Sequence, residues 1–213
     1  MSKQKKYSVK EIFFTLQGEG YHSGRPAVFC RFSGCNLWSG REKDRRNAIC
    51  NFCDTDFVGT DGENGGVYSA KELTEKIFSL WPEASKKEVF VVFTGGEPAL
   101  QLDSNLLSEL KKEKCYLAIE TNGTKDLPNG LDWVCVSPKP NTEIRQVTGN
   151  EIKIVFDCGV KPQDFAHFDF EHFYISPKDC PEYKDMLQRS IQYCLENPLW
   201  KLSLQTHKIM DIP

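Results

Sequence analysis

Short apolar runs that alternate with amphipathic segments dominate the hydrophobic pattern of this 213-residue chain. The apolar spacing in Tyr7–Leu16 and in residues 27–32 predicts two early strands. Residues 89–93 are continuously apolar, which is typical of a strand covered on both faces. Five later runs predict further strands, at residues 115–119, 133–136, 152–156, 173–175 and 200–204.

Three amphipathic segments predict helices between these strands. Ser69 and Glu72 form a capping-box pattern that opens the first of them. The other two predicted helices cover residues 102–112 and 181–196. The apolar residues that align on one face are Leu73, Ile77 and Leu80 in the first helix, and Leu187, Ile191 and Leu195 in the third.

The repeated order of strand then helix indicates a parallel sheet with right-handed crossovers. A complete eight-fold barrel usually needs about 250 residues, and several of its helices are missing here. We therefore predict an α/β fold, an abbreviated and open TIM-like (β/α) barrel, in a single domain of residues 1–213. Chemistry in such folds gathers at the carboxyl ends of the strands. Four segments follow predicted strands and should meet there, namely residues 94–98, 120–123, 137–139 and 176–179.

Composition and charge narrow the class of protein. Hydrophobic residues make up 39% of the chain and charged residues 27%, as in ordinary globular proteins. The net charge is -3 and the basic residues are scattered, so nucleic acid is not expected as a direct partner. The densest basic segment, residues 41–46, is interleaved with acidic residues and predicts a solvated loop. No apolar run of membrane-spanning length or secretory-signal type occurs.

Nine cysteines in such a chain predict a cytoplasmic protein, because thiols stay reduced in that compartment. Five of them lie in apolar strand-like runs or on a helix face and are expected to pack as small hydrophobic residues, namely Cys30, Cys115, Cys135, Cys158 and Cys194. No role is predicted for Cys180. The remaining three, Cys35, Cys50 and Cys53, are clustered and carry the candidate chemistry.

Three thiolates suit an open iron-sulfur site, because a four-iron cluster usually takes four and one iron would stay free to bind a small molecule. Two other interpretations fit the three cysteines alone. A zinc site needs a fourth ligand, which His22 or His207 could supply. The thiols could also be unligated and buried.

Two neighbouring features favour the iron-sulfur interpretation. Phe52 stands directly before the last cysteine, and a Thr-Gly-Gly-Glu-Pro segment, residues 94–98, ends an apolar run. Together they resemble the radical S-adenosylmethionine (SAM) superfamily. Fourteen residues separate Cys35 from Cys50, where the usual superfamily spacing is three. With the segments 16–20, 53–56 and 205–208, this resembles the expanded-loop members of the 7-carboxy-7-deazaguanine synthases, over residues 9–213.

The resemblance implies the cofactors and the reaction. It implies a 4Fe-4S cluster on Cys35, Cys50 and Cys53 in a loop of about residues 33–57, together with SAM and Mg²⁺. The implied reaction is the ring contraction of 6-carboxy-5,6,7,8-tetrahydropterin to 7-carboxy-7-deazaguanine with loss of ammonia, on the way to queuosine and other deazapurines. A homodimer and a reductant such as flavodoxin are also implied. A different radical enzyme, such as a glycyl-radical activase, would share the cluster and SAM but not the pterin.

The resemblance also implies site residues. The implied SAM contacts are Phe52, Gly96, Glu97, Ser137, Pro138, Lys139, Ser176, Pro177, Lys178 and Asp179. The implied substrate contacts are Leu16, Gln17, Gly18, Glu19, Arg31, Thr94, His207 and Pro213. Thr55 is the implied Mg²⁺ ligand, and Asp54 and Asp56 are rival candidates because magnesium prefers oxygen ligands.

Two of these residues also stand out by their own chemistry. Arg31 interrupts an apolar run, and a buried arginine needs an anion, either an internal carboxylate or one on the substrate. At the other end of the chain, Ile209, Met210 and Ile212 are apolar and are expected to pack, which would carry the carboxylate of Pro213 inward. That carboxylate would match the adjacent N–H donors of a pterin ring.

Overall fold

Nine strands form one sheet in the computed structural model, which describes residues 5–83 and 88–213. The strands are β1 Tyr7–Leu16, β2 Pro26–Phe32, β3 Gly66–Tyr68, β4 Phe90–Gly95, β5 Tyr116–Thr121, β6 Trp133–Val136, β7 Thr148–Val155, β8 Asp169–Ser176 and β9 Trp200–Leu202. The helices are α1 Ala70–Leu80, α2 Ser104–Lys112, α3 Tyr183–Glu196 and α4 Thr206–Met210. Short 3₁₀ helices cover Glu42–Asn47, Pro98–Leu100 and Pro162–Phe165.

The strand order across the sheet is β3-β1-β2-β4-β5-β6-β7-β8-β9. The pairs β1–β2 and β1–β3 are antiparallel, and every pair from β2–β4 to β8–β9 is parallel. Strands β3 and β9 are edges, so the sheet does not close on itself. The prediction of an abbreviated, open (β/α) barrel is therefore confirmed. No helix within the described ranges is long and apolar enough to cross a membrane.

The predicted strands all occur, but several of their boundaries differ. Strand β7 begins four residues before the predicted 152, because Thr148, Gly149 and Glu151 pair with β8 although they do not resemble a buried strand. The short strand β3 was missed because three residues give no periodic signal. Helix α4 was missed for a similar reason, since it is only five residues long and buries none of them.

The prediction for helix α1 is confirmed, whereas the predicted buried face of α3 is wrong. Ser69 and Glu72 form the predicted capping box of α1, and Leu73 and Ile77 are buried. In α3 the aligned apolar face does not coincide with the buried face: Met186 and Ser190 are buried, whereas Leu195 is 72% exposed.

One cysteine prediction is also wrong, because Cys158 lies in a turn after β7 and not in a strand.

The connection between β1 and β2 fills the amino-terminal end of the parallel strands with aromatic rings. Tyr21 stacks on Trp133 and His172, with ring centroids 4.9 and 4.4 Å apart. His22 lies 4.4 Å from Trp133 and 5.0 Å from the ring of Phe90. Burial lowers the pKa of His22 to about 4, and nearby Arg25 adds to this effect. These rings pack against the amino-terminal ends of β4 and β6, opposite the carboxyl ends where the predicted site residues lie.

Candidate active site

Two adjoining cavities open at the carboxyl ends of the parallel strands. The first has a volume of about 190 Å³ and is lined by Cys35, Cys50 and Cys53. The second, of about 270 Å³, is lined by the ends of β1 and β2 and by the C-terminal segment. Six residues line both cavities and form a shared wall: Glu19, Asp54, Thr55, Thr94, Glu120 and Gln205.

The three thiols lie close enough to influence one another. The thiol of Cys50 hydrogen-bonds to Cys53, which lowers the pKa of Cys53 and raises the pKa of Cys50. Burial raises the pKa of Cys35. Neither His22 nor His207 lines the cysteine cavity, so neither candidate for a fourth zinc ligand lies beside the thiols.

Within residues 5–83 and 88–213, no set of three or more His, Cys, Asp and Glu side chains converges as it would around a single bound ion. A four-iron cluster distributes its thiolates over separate iron atoms, so it does not require that convergence. The donor set, three thiols facing one cavity without an adjacent imidazole, therefore fits a cluster better than a lone zinc ion.

Arg45 organises the loop that carries the cysteines. Its Nη1 donates to the carbonyl oxygens of Cys53, at 2.9 Å, and Asn51, at 3.0 Å. Its guanidinium lies 4.1 Å from the ring centroid of Trp38 and pairs with Glu42. The prediction of a merely solvated basic loop is therefore wrong for Arg45, because its planar group satisfies carbonyls that a tight loop cannot pair internally.

The glycine-rich end of β4 packs directly against the first cysteine. A Cβ on Gly96 would lie 2.1 Å from the carbonyl oxygen of Gly34 and 3.0 Å from the Cβ of Cys35. The backbone N–H of Glu97 donates to the same Gly34 oxygen at 2.9 Å. Only glycine at position 96 allows the β4 end and the cysteine loop to approach this closely.

Glu97 lies behind the cavity and not in its wall. Its carboxylate is fully buried and accepts hydrogen bonds from Thr121 Oγ1 and Asn122 N, both at 2.7 Å, and from Ala99 N at 2.9 Å. Burial raises its pKa, although these hydrogen bonds oppose that shift. The predicted SAM contact of Glu97 stays a prediction, while the observed contacts give it the role of joining the ends of β4 and β5.

The two Ser-Pro-Lys turns reach the cysteine cavity from β6 and β8. Ser137 and Lys139 line it from the first turn, and Lys139 Nζ donates to Ser137 Oγ at 2.6 Å. Pro138 lies outside both cavity walls. The other predicted SAM contacts that line this cavity are Phe52, Gly96, Ser176, Pro177, Lys178 and Asp179.

The second cavity collects the predicted substrate contacts. The residues that line it include Leu16, Gln17, Gly18, Glu19, Arg31, Thr94, His207 and Pro213. Arg31 Nε donates to Glu11 Oε1 at 2.7 Å, so an internal carboxylate does partner it. Within the described part of the chain this Nε contact is the hydrogen bond that the guanidinium makes to protein, which leaves its two terminal nitrogens for a carboxylate ligand.

The C-terminal segment covers the second cavity for a different reason from the predicted one. Ile209 and Met210 are 69% and 45% exposed, so the expectation that they pack is wrong. Lys208 Nζ instead pairs at 2.6 Å with both Asp54 and Asp179. Hydrogen bonds also hold the start of α4, where Thr206 N and Oγ1 donate to the carbonyl oxygen of Gly18 at 3.0 and 2.8 Å. These contacts place Pro213 in the cavity wall.

The candidate magnesium ligands lie in the wall of the second cavity. Asp54, Thr55 and Asp56 all line it. Asp54 pairs with Lys208, and Asp56 pairs with Lys10 at 2.9 Å. Both carboxylates therefore already have cationic partners, with which a bound Mg²⁺ would have to compete. The assignment of Thr55 as the Mg²⁺ ligand stays a prediction.

Sequence reasoning missed a buried charge group in the shared wall. Lys153 Nζ lies 2.6 Å from Glu19 Oε2 and 3.8 Å from Glu120 Oε1. Exposed ion pairs such as those of Lys208 are worth about 0–1 kcal/mol, whereas removing one partner of a buried pair costs about 3–5 kcal/mol. Lys153 interrupts an apolar strand just as Arg31 does, so the same signal could have found it.

Comparison with known proteins identifies the family of this chain. A Bordetella pertussis protein named 7-carboxy-7-deazaguanine synthase is 53% identical over 209 residues, covering 97% of this chain and 99% of the relative. A Caulobacter vibrioides protein of the same name is 52% identical with the same coverage. This chain belongs to the 7-carboxy-7-deazaguanine synthase family.

The fold comparison agrees with this family. The crystal structure of QueE from Escherichia coli superposes with a TM-score of 0.69 at 26% sequence identity, covering 93% of each chain. No protein-family model matches the chain.

Proposed function

We propose that this chain converts 6-carboxy-5,6,7,8-tetrahydropterin to 7-carboxy-7-deazaguanine and ammonia, using a 4Fe-4S cluster, SAM and Mg²⁺. The observation that supports this most directly is the pair of cavities with a shared wall, one lined by three cysteines and the other by Arg31 and Gln17. Chemistry that begins on a cofactor and ends on a separate substrate needs two such adjoining spaces. The names of the relatives supply the product.

In the first cavity, Cys35, Cys50 and Cys53 would hold the cluster. When bound, the cluster and SAM supply one-electron chemistry that generates a carbon radical able to take hydrogen from the substrate. Lys139 lines this cavity and offers a cationic partner for the carboxylate of SAM. Asp179 lines it as well, with its carboxylate already paired with Lys208. Trp38 and Phe57, packed edge to face at 5.6 Å, exclude water from the back of this cavity.

In the second cavity, the free nitrogens of Arg31 would bind the substrate carboxylate in a bidentate manner. Gln17 Nε2 already donates to Glu120 at 3.1 Å, so Gln17 is held rigidly and keeps its remaining donor for the ring. Holding the pterin against the shared wall brings the reacting carbon next to the cofactor cavity. Such positioning can supply a large part of the rate enhancement when a cofactor carries the difficult step.

Several wider assignments belong to the same proposal. We assign the product to queuosine and deazapurine biosynthesis and the protein to the cytoplasm, because all nine cysteines are free thiols. Residues 1–213 would act as a single domain with its cluster loop at about residues 33–57. The protein would work as a homodimer and take electrons from a reductant such as flavodoxin.

The decisive test is anaerobic reconstitution followed by an assay. The protein should contain about four iron and four sulfide per chain. It should release 7-carboxy-7-deazaguanine and ammonia from 6-carboxytetrahydropterin when SAM, Mg²⁺ and a reductant are present. Colourless protein containing zinc would point to a structural metal module. A cluster that cleaves SAM without converting the pterin would indicate a different radical enzyme.

Thr55→Ala should weaken the response to magnesium without loss of the cluster. Even partners outside the ligand shell change metal affinity by about 10–100-fold, so removing a ligand hydroxyl should raise the half-saturating Mg²⁺ concentration by about tenfold or more. The measurement is activity titrated against Mg²⁺, with iron content determined in parallel.

Thr60→Ala is the matched control, because Thr60 lies in the same loop region and lines neither cavity. We expect it to leave the titration unchanged. The same half-saturation point in Thr55→Ala and the unaltered protein would remove Thr55 from the magnesium site.

A further inference from the structure

Lys153 is a cation almost completely enclosed by protein. It is 7% exposed, lies on β7 and lines the cysteine cavity. Burial by itself would lower its pKa, but the carboxylates of Glu120 and Glu19 outweigh burial and raise that pKa well above its usual value. Lysine is almost never this buried unless it is paired, so these carboxylates explain why it remains charged.

Each partner carboxylate is also anchored by neutral donors. Glu120 accepts from Gln17 Nε2 at 3.1 Å and from Thr94 Oγ1 at 3.5 Å. Glu19 accepts from Gln205 Nε2 at 3.1 Å. One cation and two carboxylates leave one net negative charge, and the two carboxylates line both cavities.

The charge at this wall selects what can lie against it. Ionised carboxylates only accept hydrogen bonds, so they favour N–H groups of a ligand and repel its carboxylate. The same cavity contains Arg31, which attracts a carboxylate. A ligand with a carboxylate and several ring N–H groups is therefore bound in one orientation.

We propose that Lys153 is a positioning residue that fixes the carboxylates of Glu19 and Glu120 as acceptors for the ring N–H donors of a pterin substrate. This inference rests on the proposed function, and it specifies what orients the substrate at the wall between the cavities. Lys153 acts through the two carboxylates and does not contact the substrate itself. Without it, the carboxylates of Glu19 and Glu120 would share one wall with no cation between them, and their mutual repulsion would move them out of position.

The experiment compares Lys153→Met, Glu19→Gln and the double variant with the unaltered protein. Lys201→Met is the matched control, because Lys201 is exposed on β9 of the same sheet. KM and kcat for 6-carboxytetrahydropterin are measured in the reconstituted enzyme. The Kd of the same pterin is measured by calorimetry in the absence of SAM, and the melting temperature and iron content are recorded for every variant.

We expect Lys153→Met to raise both KM and Kd by about tenfold or more, with iron content unchanged. The double variant should be about as impaired as Lys153→Met alone, because both changes disrupt one unit. Lys201→Met should change none of these values. A purely structural role would lower the melting temperature of Lys153→Met and leave its KM and Kd unaltered, and that result would overturn the inference.

Glu19→Gln keeps the size of the side chain and removes one of the two carboxylates. It therefore tests the inference if Lys153→Met fails to fold. Unchanged KM and Kd in Glu19→Gln would then overturn the inference, and a rise of about tenfold in both would support it. Failure of the unaltered protein to bind or convert the pterin would instead reject the proposed function together with this inference.

Discussion

Cys35→Ala, Cys50→Ala and Cys53→Ala are each expected to lose the cluster and, with it, all activity. A four-iron cluster usually takes four thiolates and only three are available here, so a site reduced to two should hold iron poorly. Iron and sulfide content after anaerobic reconstitution should fall by about tenfold or more in each variant. Visible absorbance of the reconstituted protein and cleavage of SAM should fall in parallel.

Cys194→Ala is the control for this series. Cys194 lies partly buried on α3, away from both cavity walls, so its loss should change only packing. We expect full iron content and activity in this variant. A Cys50→Ala protein that retains its iron and cleaves SAM would contradict the assignment of the three thiols.

Gly18→Ala is expected to disrupt substrate binding as strongly as the loss of a direct contact. A Cβ on Gly18 would lie 2.2 Å from His207 Nδ1 and 2.8 Å from His207 Cβ, so α4 would have to move. That movement would shift His207 and Pro213 within the wall of the second cavity. A misplacement of about 1 Å can cost about 10²-fold in activity, and we expect kcat/KM for the pterin to fall by that order.

Gly24→Ala separates this steric effect from backbone strain in the same loop. Gly24 has a φ of +84° and open space around the added carbon, so its replacement costs only the left-handed backbone energy of about 1–2 kcal/mol. We expect a lower melting temperature and nearly normal kcat/KM. Equal losses of activity in Gly18→Ala and Gly24→Ala would show that contact with His207 is not the cause.

Much of the fold could be predicted because its elements carry local signals. The continuously apolar residues 89–93 indicated a strand covered on both faces, and the Ser69 capping box indicated where α1 begins. Leu195 shows the limit of this reasoning, because apolar alignment on α3 does not reveal which face of the helix packs on the sheet. Strand β3 is too short to produce any periodic signal.

The sequence by itself determined which types of residue and turn the candidate site contains. Three clustered thiols, a glycine-rich strand end and two Ser-Pro-Lys turns are recognisable from residue type and spacing, because cysteine ligation and tight turns impose local requirements. The predicted open barrel then implied that these segments meet at one end of the sheet. The structure has most of them around the first cavity.

Only the tertiary structure decided how charged residues from distant segments pair in the shared wall and in the C-terminal segment that covers the second cavity. Lys153 meets Glu19 and Glu120 across the sheet, and Lys208 reaches Asp54 although 154 positions separate them. The apolar residues of α4 suggested that hydrophobic packing draws the terminus inward, whereas ion pairs and hydrogen bonds hold it there. Charge pairing is set by proximity in space, and no periodicity along the chain records it.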